Sequence, residues 1–115
     1  VTVKELYEKI GGNYQEIMGR LYSESIVKKI AKMLLADTNI EKLASSIDSG
    51  NVQEGFMAAH TLKGMCANLS LDSMTAQFSE ITEALRAGDN DKAKELLPAA
   101  KEQFEALLKD ISEIE

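Results

Sequence analysis

The chain predicts an all-α fold: an antiparallel up-down four-helix bundle with short N-terminal helices covering it. Three observations lead there. Thr2 with Glu5, Asn13 with Glu16, and Asn51 with Glu54 each set a capping side chain three residues before a glutamate. Apolar residues recur at spacings of three and four, the period of a helix buried along one face. No segment alternates apolar and polar residues long enough to make a half-buried strand. A single proline and the absence of tryptophan lean the same way.

From the N-terminus, the Thr2 cap opens a short helix near 3–10, which Gly11-Gly12 ends. Asn13 opens a second near 13–21, and a third near 23–36 runs to the break Asp37-Thr38-Asn39. These helices, residues 1–36, are expected to cover one end or side of a bundle made by 39–113. The first bundle helix, near 39–49, stops at Ser49-Gly50. Asn51 caps the next, near 51–69, with Val52, Phe56, Ala59, Leu62, Cys66 and Leu69 as its core stripe. Met74, Phe78, Ile81 and Leu85 repeat the pattern near 71–87, which Gly88-Asp89-Asn90 closes. The last helix, near 90–113, aligns Ala93, Leu96, Leu97, Ala100, Phe104, Leu107, Leu108 and Ile111. Pro98 lacks an amide hydrogen and should kink this helix or split it. Loops of two to four residues make the long helices antiparallel neighbours. One domain over 1–115 is expected, long enough to bury about two thirds of its unfolded surface.

The charge balance narrows the partners. Thirteen Lys plus Arg against 19 Asp plus Glu give a formal charge of -6, and no basic run exceeds two residues. Nucleic acid and anionic membrane both require concentrated positive charge, so neither is an expected partner. Cys66 is the lone cysteine, which forbids an intramolecular disulfide and suits a reducing compartment. No apolar stretch approaches a membrane span and no signal-peptide layout is visible, so a cytoplasmic location and a monomer are expected.

His60, the only histidine, sits inside the 51–69 helix at about 110° from the centre of its core stripe, taking 3.6 residues per turn. It therefore lies at the boundary or outside, with Gly64 above it and Met57 below; Thr61 and Asn68 point further into solvent. Lys63 roots nearer the core edge, and its long stem can carry the ammonium outwards. A mid-helix glycine is less favourable than alanine by about 1 kcal/mol. Gly64 therefore serves either access to His60 or a close helix–helix approach, and access is the better reading. Residues 51–80 carry four charges (Glu54, Lys63, Asp72 and Glu80), far below the 28% of the whole chain. A weakly charged, partly apolar surface around an exposed histidine is the composition of a transient protein-docking face. One histidine without carboxylate or thiolate companions makes no metal site, and Cys66, on the core stripe, reads as a small buried apolar group.

The string Ala59-His60-Thr61-Leu62-Lys63-Gly64, followed by Ala67-Asn68-Leu69, closely resembles the signature of histidine-containing phosphotransfer (HPt) domains. The Ser49-Gly50-Asn51 turn upstream and the helical layout extend the likeness, which is greatest to small stand-alone bacterial members. One departure is Ser70, where the family usually has glycine; a left-handed helix cap is harder for serine.

The resemblance implies a phosphocarrier rather than an enzyme. His60 would attack a receiver-domain phosphoaspartate through its outer ring nitrogen and pass the group to another receiver aspartate in a multistep two-component phosphorelay. The partners would be receiver domains of response regulators, of a hybrid sensor kinase, or both. The chain would need no cofactor of its own, Mg²⁺ being supplied by the receiver. Lys63 would neutralise phosphoryl charge and Gly64 would leave room for the group. The inner ring nitrogen would be held by an acceptor or by water. The helix starting near 71 runs antiparallel and brings positions around 79–82 level with His60, so Glu80 and Thr82 are the candidates. Thr82 matches a position where relatives can carry an orienting polar group. Met57, Thr61, Ala67 and Asn68 would meet the partner. The alternative is an adaptor that binds a receiver through the same face without accepting phosphate; a purely structural bundle leaves an exposed His60–Gly64 pair unexplained.

Overall fold

The helix starts written into the sequence close as hydrogen bonds. In the computed structural model, which describes residues 1–114, the Glu5 amide donates to Thr2 Oγ1 at 3.1 Å and the Thr2 amide to Glu5 Oε1 at 3.1 Å. The amides of Glu16 and Glu54 donate to the side-chain oxygens of Asn13 and Asn51, at 2.9 and 3.1 Å. Asp89 caps the last helix by accepting from the Lys92 amide at 3.0 Å. Each bond satisfies one of the amides that a helix start leaves without a partner.

Seven α-helices result among the described residues: α1 Val3–Lys9, α2 Tyr14–Leu21, α3 Glu24–Met33, α4 Asn39–Ser49, α5 Val52–Asn68, α6 Asp72–Arg86 and α7 Asn90–Ser112. The segment expected as one helix over 23–36 tightens after Met33 into a 3-10 turn, Leu34–Ala36. Pro98 does not split α7, which runs unbroken through it. Its ring is exposed, so the carbonyl of Lys94, deprived of its amide partner, lies on a side of the helix that water can reach.

Three turns between the long helices share one geometry. The amides of Asn51, Leu71 and Asp89 reach back to the carbonyls of Ser46, Cys66 and Ala84 at 2.8, 2.9 and 2.8 Å. The residue before each amide is left-handed: Gly50 at φ +78°, Ser70 at φ +53° and Gly88 at φ +77°. These are Schellman closures, two on glycine and one on serine. Ser70 therefore adopts the conformation that glycine would take, and its side chain is tied down: Oγ donates to Glu16 Oε1 at 3.0 Å.

The closures fold α4 to α7 back and forth. Helix α4 packs on α5, α5 on α6, α6 on α7, and α7 returns to α4. At one end the last turns of α4 and α6 meet the first turns of α5 and α7: a Cβ on Gly55 would touch Leu85 and Ser46, and Asn90 Nδ2 donates to the Ile47 carbonyl at 3.0 Å. This is the up-down bundle. Phe78 and Phe104 meet edge to face in its core, 5.5 Å apart.

The N-terminal helices cover both a side and an end. Helix α3 packs along α7, burying Val27 and Ala31. Helices α1 and α2 close over the turn after α5. There Tyr7 Oη donates to the Leu69 carbonyl at 2.6 Å, and the Asn13 amide to the Ser70 carbonyl at 2.9 Å. Lys9 pairs with the largely buried Asp110 of α7 at 3.1 Å. No helix among the described residues is long and apolar enough to cross a membrane.

Candidate functional site

Helix α5 is held on two sides, and its third side is open. Gly55, Ala58, Ala59, Leu62 and Cys66 are buried against α4 and α6. Ala58 widens the expected stripe because α5 lies between two neighbours rather than against one. Val52 and Phe56, expected inside, are only partly buried, at the edge of the core. Burial pushes the Cys66 thiol up to about 12, with a smaller push from the Asp37 charge; it is a packed group and not a nucleophile.

On the open side, His60, Thr61, Gly64, Ala67 and Asn68 are exposed, Lys63 is partly so, and Met57 is 62% exposed. A Cβ added to Gly64 would meet nothing within 4 Å. The close helix approach that a packing glycine would serve occurs at Gly55, where a Cβ would lie 3.3 Å from Leu85 Cδ1. No side chain of another helix fills the space beside Gly64. The ion pairs among the described residues are Lys9–Asp110, Arg20–Glu16 and Arg86–Glu83, so the Lys63 ammonium one turn from His60 is left unpaired. Thr61 is less available than its exposure implies, because Oγ1 donates to the Met57 carbonyl at 2.9 Å.

The C-terminal end of this face is anchored from α2. Arg20 donates to the carbonyls of Ala67 and Asn68 at 3.2 and 2.8 Å, satisfying acceptors that a helix end leaves open and placing a cation at its negative pole. Glu16 accepts from both Arg20 and Ser70, so α2 and the turn after α5 hold one another.

The two residues expected to orient the imidazole do not reach it through a hydrogen bond. Thr82 is fully buried and its hydroxyl donates to the Phe78 carbonyl at 2.6 Å, within its own helix. Glu80 is exposed and lines a groove toward Asp89 and Lys92 at the start of α7. The aromatic ring stacked beside the imidazole is Phe56, one turn earlier on α5: the ring centroids lie 5.8 Å apart and the planes 14° from parallel. Arg86, the last residue of α6, sets its guanidinium carbon 5.0 Å from the Phe56 centroid. By its spacing in the sequence Phe56 belongs to the core stripe, and Arg86 has no expected role. The four-residue offset from His60 was the available signal for Phe56; for Arg86 none existed before α6 was placed against α5.

A groove of about 450 Å³ runs beside the histidine face between α4 and α5, with Lys42, Ser45, Glu54, Met57 and Thr61 on its walls. A second depression, about 320 Å³ and lined from α1, α6 and α7, shares no residue with it. Among the described residues no group of three or more His, Cys, Asp and Glu side chains is placed to hold a metal ion.

The family model of the Hpt domain matches residues 35–113, from the 3-10 turn to the end of α7. Helices α1 to α3 precede the match. No curated protein and no solved structure gives a match.

Proposed function

The chain belongs to the Hpt domain family, whose business is phosphotransfer in two-component signalling, and from that premise we propose that it carries the phosphoryl group on His60. The group arrives from a phosphoaspartate on a receiver domain and leaves to the aspartate of another. The observation that carries this reading is the open flank of α5, where an exposed imidazole stands beside a glycine with no atom near its missing Cβ.

In the accepting step the outer nitrogen of His60 brings its lone pair to phosphorus. The N–P bond forms in line as the bond to the aspartyl oxygen breaks, and the aspartate departs with that electron pair as a carboxylate. The attacking nitrogen must be unprotonated, so the ring's single N–H stays on the other nitrogen. Passing the group on reverses these movements. Such transfers depend chiefly on position and on neutralising the three phosphoryl oxygens. Lys63 supplies a mobile point charge from this chain, and Mg²⁺ with the acidic cluster around it belongs to the receiver. Gly64 keeps a side chain out of the approach path, while Met57, Thr61, Ala67 and Asn68 form the surrounding contact surface.

Transfer from a phosphorylated receiver domain tests the proposal. Label is expected to pass to the wild-type chain and not to His60→Gln. A receiver that binds both proteins equally and transfers to neither establishes the adaptor reading instead.

A further inference from the structure

We propose that Phe56 is the positioning residue of this site: its ring stacks on the His60 imidazole and fixes the plane of the phosphoacceptor in place of a hydrogen bond. The inference rests on the reading of His60 as the acceptor and concerns what holds its ring.

An imidazole on an exposed helix position turns about two side-chain bonds, and in-line attack uses few of the resulting orientations. A hydrogen bond to the inner nitrogen is the common restraint. Among the side-chain hydrogen bonds of the described residues none involves His60, and the hydroxyl best placed by sequence, that of Thr82, is buried and bound to Phe78. The contact to the imidazole that the structure does show is aromatic.

Phe56 supplies it. It lies four residues before His60, on the same helix face, and the 14° angle and 5.8 Å separation describe an offset stack. Its own ring is held by partial burial against the core and by Arg86, which approaches from α6 and is paired to Glu83 at 3.3 Å. The imidazole is thus referred to a second helix through an aromatic ring.

The contact has a chemical consequence. A stack acts on the faces of the imidazole and leaves both nitrogens free in its plane. One can attack phosphorus while the other keeps its proton, and no side-chain hydrogen bond among the described residues fixes which is which. Position is supplied without selecting a tautomer.

Two measurements on the full chain test this. In the wild type, nuclear Overhauser contacts are expected between the ring protons of His60 and Phe56. Acceptance from a phosphoramidate is then timed for wild type, Phe56→Leu and Phe56→Tyr by intact mass. Phe56→Leu keeps the apolar bulk and is expected to slow acceptance about fivefold, the scale of one aromatic stack; Phe56→Tyr keeps the stack and the wild-type rate. Equal rates for folded wild type and Phe56→Leu overturn the proposal, as does the absence of the ring contact in the wild type, a reading that needs no variant to fold. No adduct on the wild type at all overturns the carrier reading itself, so the two failures are distinct.

Discussion

Ser70, left-handed at φ +53°, donates its hydroxyl to Glu16 Oε1 at 3.0 Å. A non-glycine residue in that region is disfavoured by about 1–2 kcal/mol, and a hydrogen bond to a carboxylate offsets a similar amount. The turn after the histidine helix therefore keeps a glycine-like geometry through a side-chain tether to α2.

Two substitutions separate these terms. Ser70→Gly relieves the backbone and loses the tether, so its stability should stay close to wild type. Ser70→Ala loses the tether and keeps the strain, so it should be less stable than Ser70→Gly by about 1 kcal/mol. Urea midpoints measure the difference; equal midpoints contradict the account.

The glycines of α5 should respond in opposite ways. Gly64→Ala places a methyl in open space and should raise stability by up to about 1 kcal/mol, while slowing transfer from a receiver. Gly55→Ala sets a Cβ 3.3 Å from Leu85 and should give no such gain. Thermal melts of the two variants check the first half, and transfer rates from one phosphorylated receiver check the second.

Tyr7→Phe removes the buried 2.6 Å bond to the Leu69 carbonyl and should lower stability by about 1–2 kcal/mol. Phosphoryl acceptance by the folded variant should be unchanged, because no atom of the histidine face is altered. Denaturation and adduct formation measured on one preparation give both numbers.

Alkali should destabilise the fold. Burial raises the Cys66 thiol from 9.0 to about 12 and also raises the Tyr7 phenol. Both groups stay protonated in the folded chain at a pH where the unfolded chain has lost those protons. The unfolded state then binds fewer protons, so stability is full below about pH 9 and falls as pH rises toward about 12. Cys66→Ala should flatten that fall, as urea midpoints at about pH 8 and about pH 11 would show.

Much of this was legible in the residues. Caps such as Thr2–Glu5 and Asn51–Glu54 are local, and the helical period assigned the exposed face of α5 without a structure. Pro98 leaves α7 unsplit because it lies on a solvent-exposed side of the helix, and the sequence shows the missing amide but not that exposure. Ser70 could be flagged as unusual, yet its partner Glu16 is 54 residues distant in sequence. The surroundings of the imidazole were least accessible. Counting along an antiparallel α6 brought Thr82 and Glu80 level with His60, but level is not facing: one turned into the core and the other outwards. Phe56 and Arg86 meet because of how α6 packs against α5, which no single-helix projection contains.

The most direct measurement is intact mass after incubation with a small-molecule phosphoramidate donor, for wild type and His60→Gln in parallel. The expected result is one acid-labile, alkali-stable phosphoryl group on the wild type and none on the variant. An equal adduct on His60→Gln, or none on a folded wild-type chain, would contradict it.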